Sequence, residues 1–264
     1  MQDRIGSWDH SSHPVFYQYY ESESESPETR QRFLRIRDML IMIGGNRENL
    51  DVADIGCGAG SQCRLWAAVG HRVTGIDVSQ AFIDLARSRA TVEGLDIDFR
   101  IGSATAIPLP EKSVDVCLVP ELLEHVRDWR SCIREFDRIM KPGGLLYLST
   151  TNKLCPVQQE FELPLYSWYP GFVKRRFERL AMTTQPELAN YAKYPAVNWF
   201  SYYGLKSHLA RYGFSCLDRF DTMRPDGRGM LERVALSAIR SLPPLRLLAH
   251  FATPYTAIVA IKRE

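Results

Sequence analysis

The sequence predicts an α/β fold in which a mostly parallel sheet is covered by helices on both faces. Three observations carry that reading. From residue 50 onward, short apolar runs alternate with amphipathic segments; their spacing is that of right-handed βαβ units; and a glycine-rich turn joins the first run to the segment after it. A chain of 264 residues is long enough to bury a full core of this kind.

Trp8, Phe16, Tyr17, Tyr19 and Tyr20 open the chain in aromatic and polar company, and residues 21–26 are acidic and serine-rich, the composition of a linker or mobile segment. Pro27-Glu28 is a helix start, Phe33, Ile36, Met39, Leu40 and Ile43 recur at helical spacing, and Gly44-Gly45 stops the helix. Residues 52–55 read as strand, 62–69 as helix, 72–76 as strand, and 80–92 as helix with Ser79 as its N-cap. Strands are expected at 97–101 and 114–119, a helix at 129–140, and a strand at 145–149 after the turn Lys141-Pro142-Gly143-Gly144. Residues 152–200 break the pattern with aromatics and prolines, Tyr191 and Tyr194 among them, as a lid or substrate-binding insertion does. Helix 204–212, strand 214–220, a helical stretch 230–251 broken at Pro243-Pro244, and strand 255–261 complete the chain. The expected organisation is a covering segment and helix (1–45), a ligand-binding core (46–151), an aromatic insertion (152–202), and the rest of the core sheet with an extra helical insertion (203–264).

Composition narrows the function classes. Hydrophobic residues at 45% and charged residues at 24% are those of an ordinary globular protein. A net charge of +2 offers no concentrated basic face for nucleic acid. No apolar run reaches the roughly 20 residues of a transmembrane helix, and residues 1–10 are too polar and acidic for a secretory signal. Cys57, Cys63, Cys117, Cys132, Cys155 and Cys216 are scattered without a C-x-x-C pair, which suits reduced thiols and a cytoplasmic setting.

The chemistry concentrates in Asp54-Ile55-Gly56-Cys57-Gly58-Ala59-Gly60, a strand running into a glycine-rich turn. Glycines there permit positive φ and close backbone approach, and the following helix offers free N–H groups to an anionic group. Asp77 ends the next strand, where a carboxylate can accept both hydrogens of a ribose diol. The dinucleotide fingerprint G-x-G-x-x-G is not met, because the third glycine falls one residue early and Ser61 stands in its place.

The Asp-x-Gly-x-Gly-x-Gly pattern resembles motif I of the class I S-adenosylmethionine-dependent methyltransferases. The resemblance runs from about residue 50 to 151: Asp77 matches the ribose-binding acid, Gly102-Ser103-Ala104 the place of Gly-Asp-Ala beside the adenine, and Lys141-Pro142-Gly143-Gly144 the turn before the fifth strand. It implies a Rossmann-like, seven-stranded class I methyltransferase sheet, mostly parallel with an antiparallel last strand. It implies S-adenosyl-L-methionine as cofactor, held by Asp54, Gly56, Cys57, Gly58, Gly60, Asp77, Val78, Ser103, Ala104 and Pro120. Ser103 departs from the family's aspartate; its hydroxyl can accept the same hydrogen bond more weakly.

Pro120-Glu121-Leu122-Leu123-Glu124-His125-Val126 resembles the Glu-x-x-Glu-His stretch of the ubiquinone-pathway O-methyltransferases. We assign His125 and Glu124 as catalytic, with His125 taking a proton from a hydroxyl near neutral pH. The bland alternative makes Glu124 a helix cap and His125 a packing residue. No metal is assigned, although Glu121, Glu124 and His125 are a set that can hold a divalent ion. Tyr166, Trp168, Trp199 and Tyr202 are the expected acceptor contacts, with the small core of a lid as the other reading of those aromatics. In residues 230–251 an apolar stripe lies beside arginines, a pattern shared by a membrane-surface helix and by a helix packed on the sheet. The expected reaction is O-methylation of a small-molecule acceptor, ring-containing or lipid-like, with N- or C-methylation as the alternative. The rivals are a nicotinamide-dependent oxidoreductase, which lacks its Tyr-x-x-x-Lys pair here, and a catalytically silent relative.

Overall fold

The computed structural model describes residues 14–189 and 195–263. Trp8, Tyr191 and Tyr194, with the side chains of Phe16, Tyr19 and Tyr20, lie outside the described residues. The strands are β1 (Asp51–Ile55), β2 (Arg72–Asp77), β3 (Asp98–Ile101), β4 (Val114–Pro120), β5 (Met140–Thr151), β6 (Phe214–Asp218) and β7 (Tyr255–Lys262). They form one sheet in the order β3-β2-β1-β4-β5-β7-β6. β1 pairs in parallel with β2 and β4, and β2 with β3, while the last strand runs antiparallel as expected. The order reverses direction between β1 and β4, the switch point where open α/β sheets bind ligands at the carboxyl ends of their strands.

Contacts divide the chain into two compact units. The first comprises the described residues of Met1–Leu122, Asp128–Tyr147 and Ile261–Glu264. Its central strands are buried on both faces (Val52, Ala53 and Ile55 in β1, Val116 to Val119 in β4), which is why they read as continuous apolar runs. Its helices are α1 (Pro14–Glu23), α2 (Pro27–Ile43), α3 (Ser61–Ala67), α4 (Gln80–Val92) and α5 (Trp129–Ile139). The inward faces of the last two match the helical repeat, with Phe82, Ile83, Ala86 and Ala90 in α4 and Cys132, Ile133, Phe136 and Ile139 in α5. Ser79 caps α4 as expected, its hydroxyl accepting from the Phe82 N–H.

Two expectations in this unit are corrected. The acidic segment 21–26 is not a loose linker: α1 runs through Glu23, and the side chains of Arg89, Ser61 and Arg64 pin residues 21–25. Arg89 donates to the Glu21 carbonyl at 3.0 Å and the Ser24 hydroxyl at 2.9 Å, Ser61 Oγ donates to the Ser24 carbonyl at 2.7 Å, and Arg64 pairs with both Glu25 and Glu93. Composition did not reveal these partners because they lie about 40 to 70 residues away in the chain. The Lys141–Gly144 turn is absorbed into β5, which runs from Met140 with Gly143 at φ 74°.

The second unit comprises Leu123–Arg127 and Leu148–Ala260. It holds α6 (Gly171–Thr183), α7 (Tyr202–Ala210), the single-turn α8 (Arg219–Thr222), α9 (Met230–Ser241) and α10 (Pro243–Phe251). α6 was not legible, because Lys174, Arg175, Arg176 and Arg179 dilute its apolar repeat. β6 ends two residues earlier than expected. Asp218 stops it by accepting from the Phe220 and Asp221 N–H groups in a capping box that opens α8.

Candidate active site

The glycine turn closes over the end of β2 within the first unit. Gly56 N–H and Cys57 N–H donate to the Ile76 carbonyl at 2.8 and 3.1 Å, and Gly58 N–H donates to Asp77 Oδ2 at 2.9 Å. Gly56, Gly58 and Gly60 take φ of 78°, 51° and 75°, the left-handed region that favours glycine. Gly60 has a second reason to lack a side chain: a Cβ there would sit 2.9 Å from Ala86 Cβ and Phe99 Cζ. It serves as N-cap of α3 without a side-chain acceptor, so the first N–H groups of α3 keep their capacity for an anionic group.

Asp77 ties this arrangement together. Its Oδ1 accepts from the Ser79 N–H at 2.8 Å while Oδ2 holds Gly58, and each oxygen keeps a further lone pair. Burial pushes its pKa up, and the backbone donors of Ser79, Gly58 and Val78 pull it back. Asp54 sits one strand over, paired with Gly75 across β2 and with Leu118 across β4. It is buried, accepts from Cys63 Sγ at 3.3 Å, and leaves Oδ1 without a hydrogen-bond partner among the described residues. Burial pushes Asp54 up to about 7. Both amide atoms of Gln62, at the second position of α3, are likewise buried without a partner. Gln62 was missed from the sequence, where a lone amide on a helix buried on most sides was the signal available.

Orphaned polar atoms on either side of a glycine turn with a bare helix start fit a zwitterionic nucleoside. The residues present therefore suit S-adenosyl-L-methionine. Ala104 is buried, while Val78, Ser103 and Pro120 are half-buried. Ser103 is engaged locally, its hydroxyl 2.8 Å from Thr105 Oγ1 and accepting from the Thr105 N–H at 3.2 Å. Cys57 is buried, and all six cysteines are free thiols, as their spacing predicted.

The Asp54 carboxyl sets a pH dependence of stability. Its folded pKa lies above the ordinary 3.8, so the folded chain keeps a proton that the unfolded chain releases. Stability contributed by this group is lost as pH rises from about 4 to about 7. In Asp54→Asn the fall of the thermal midpoint between about pH 5 and about pH 8 should be shallower than in the unsubstituted, ligand-free chain by a few kcal/mol equivalent. Parallel profiles in scanning calorimetry would refute this.

Glu121 closes the first unit's share of the Glu-x-x-Glu-His stretch. It has a left-handed φ of 51° and pairs with Arg32 at 2.6 Å. Glu124 and His125 belong to the second unit, in turns rather than a helix; the cap of α5 is Asp128, which accepts from the Ser131 N–H, so Glu124 is not a cap. Glu124 is buried and accepts from Thr150 Oγ1 at 2.8 Å, while its carbonyl accepts from Val197 and Asn198 N–H at 2.8 and 3.0 Å. Asn198 completes the clamp: its Nδ2 donates to the Leu123 and Val126 carbonyls at 2.9 and 2.7 Å. The turn that carries half-buried His125 is therefore fixed at both ends. Asn198 and Thr150 were missed because neither belongs to a motif. Among the described residues, no group of three His, Cys, Asp or Glu is arranged to hold a metal ion.

The four expected acceptor contacts fall into different settings. Tyr166 is fully buried in a cluster with Phe161, Ala181 and Ala189, against which Tyr169, Phe177 and Trp199 pack. Lys174 lies 4.2 Å above the Trp199 ring and donates to the Ser167 carbonyl at 2.8 Å; burial lowers its pKa to about 8. Tyr166 and Trp199 thus form the insertion's own small core. Tyr202 is buried at the start of α7, stacked on His250, with its hydroxyl donating to the Cys216 carbonyl at 3.3 Å. Trp168 alone of the four presents its ring to solvent.

Residues 53–148 match the family described as "Methyltransferase domain". A relative named ubiquinone biosynthesis O-methyltransferase, from Maricaulis maris (strain MCS10), is 36% identical over 144 residues, 52% of this chain and 56% of that protein. This chain thus spans about half the length of the curated relatives it matches. Among solved structures, the PH0226 protein from Pyrococcus horikoshii OT3 superposes with a TM-score of 0.59 at 16% identity, covering 94% of this chain and 99% of that one. An S-adenosylmethionine-dependent methyltransferase from Mesorhizobium loti gives 0.54 at 18% identity, covering 81% and 92%. At such identities these two speak for the fold.

Proposed function

Starting from a methyltransferase domain at residues 53–148, we propose that the whole chain is an S-adenosyl-L-methionine-dependent methyltransferase that methylates a hydroxyl of a small, ring-containing or lipid-like acceptor. The observation that carries the reading is the clamp of Gly58 onto Asp77, beside Asp54 and Gln62 with their unpartnered polar atoms. The cofactor supplies a methyl group already activated on a sulfonium. What remains for the protein is alignment of the acceptor, exclusion of water and removal of one proton.

In this reading Asp77 accepts from the ribose hydroxyls, the α3 N-terminus and Gln62 receive the amino-acid end, and Ala104 borders the base. His125 takes the acceptor's hydroxyl proton, and Glu124 positions it by anchoring the turn through Thr150 and Asn198. Trp168, whose ring is exposed, is the foremost acceptor contact, with the buried Tyr166 and Tyr202 and the half-buried Trp199 as framework. Oxygen is preferred over nitrogen or carbon as the methylated atom because the curated relatives are named O-methyltransferases.

Calorimetric titration with S-adenosylhomocysteine, with NADH as control, tests the cofactor. Binding of the first alone supports the reading, and binding of NADH alone overturns it. Once an acceptor is identified, His125→Ala should lower kcat by about a hundredfold or more while S-adenosylhomocysteine affinity holds. An equal loss of both would make His125 a packing residue.

A further inference from the structure

Helix α10 is built inside out, and α9 leaves an apolar face bare. In α9 the residue turned inward is Leu236, and Arg240 donates to the Phe220, Asp221 and Met223 carbonyls. The opposite face carries Met230 (82% exposed), Leu231 (86%) and Val234 (58%), spaced to share one side of the helix. In α10, Arg246 and His250 point inward to Asp218, while Leu247, Leu248 (63% exposed) and Phe251 face solvent. Both helices thus leave apolar side chains bare, and α10 in addition spends its polar side chains on the interior, the reverse of a helix covering a sheet.

Charge indicates the occupant. Of the six arginines in residues 219–251, Arg240 and Arg246 are turned inward and Arg228 pairs with Glu232. Arg233 in α9 and Arg224 in the stretch before it are exposed. A second copy of the chain docking on the same face through a two-fold axis would bring the exposed Arg224 and Arg233 of both copies to one seam. An anionic lipid surface offers apolar depth and phosphate oxygens together, and guanidinium groups bind phosphate bidentately.

We propose that the outward faces of α9 and α10 dock this protein on an anionic membrane surface, with Met230, Leu231, Val234 and Leu248 entering the acyl boundary and Arg224 and Arg233 meeting phosphates. No helix among the described residues is long and apolar enough to cross a membrane, so the attachment is interfacial. It is independent of the acceptor's identity.

Co-sedimentation of the full chain with vesicles tests this. The chain should pellet with vesicles of phosphatidylcholine containing a third phosphatidylglycerol, weakly with phosphatidylcholine alone, and less as salt is raised. Leu231→Glu with Leu248→Glu should cut binding by about tenfold or more while S-adenosylhomocysteine titration is unchanged. Leu231→Trp, a substitution at an exposed position, should show a blue-shifted, lipid-shielded fluorescence with the anionic vesicles only. Absence of pelleting with either vesicle overturns the proposal. So does a dimer in sedimentation velocity that Leu231→Glu with Leu248→Glu dissolves, which would make the face a chain–chain contact.

Discussion

Asp218→Ala is expected to destabilise the protein by roughly 3–5 kcal/mol, lowering the thermal midpoint by roughly 10 °C. Asp218 is fully buried at the end of β6. Its Oδ1 accepts from the Phe220 and Asp221 N–H groups at 2.8 and 3.1 Å, and its Oδ2 from Arg246 Nε at 2.7 Å and His250 Nε2 at 2.9 Å. Alanine would remove the cap of α8 and leave the Arg246 and His250 side chains facing a void. Burial alone would raise the Asp218 pKa, but hydrogen bonds from His250, Arg246 and the Asp221 N–H hold it well below the ordinary 3.8. A depressed carboxylate contributes stability above the unfolded value, and that stability disappears as pH falls below about 4. Calorimetry should therefore find the gap between Asp218→Ala and the unsubstituted chain widest near neutral pH and narrowing in acid. A loss under about 1 kcal/mol at neutral pH would mean that the network is decorative. Asp218→Asn should retain part of the stability, since its amide oxygen still accepts from the two N–H groups.

Asp77→Ala is expected to weaken S-adenosylhomocysteine binding by about a hundredfold, the worth of two hydrogen bonds to a charged acceptor. Folding gives the same residue a second task. Because Asp77 also holds Gly58 and Ser79, the substitution loosens the glycine turn itself, and the ligand-free chain should lose on the order of 1–2 kcal/mol as well. Titration calorimetry and thermal unfolding of the same variant separate the two. Unchanged affinity would remove Asp77 from the cofactor site, whereas lost affinity with unchanged stability would show that its only role is toward the ligand.

Legibility depended on how local the cause was. Asp77 could be found because a strand, a glycine turn and an acid recur at short spacing, and backbone geometry demands those residue types there. Helix α4 was legible end to end, since Ser79 caps it and its apolar repeat is undiluted. Gln62, Thr150 and Asn198 were not, because each takes its meaning from surroundings that only folding assembles: Thr150 lies 26 residues from Glu124, and Asn198 lies 75 from Leu123. Residue type alone leaves Tyr166 and Tyr202 open to two readings, acceptor contacts or the small core of a lid. Folding buries both, Tyr166 with Phe161 and Trp199, and Tyr202 against His250.

Residue periodicity and φ constraints, acting over a few residues at a time, were enough to specify the parallel α/β core, its glycine turn and the acid at the end of the second strand. Which face of residues 230–251 is covered depended instead on long-range packing. An amphipathic pattern states that two faces differ, but only the packing of Leu236 in α9, and of Arg246 and His250 around Asp218 in α10, shows which side points inward.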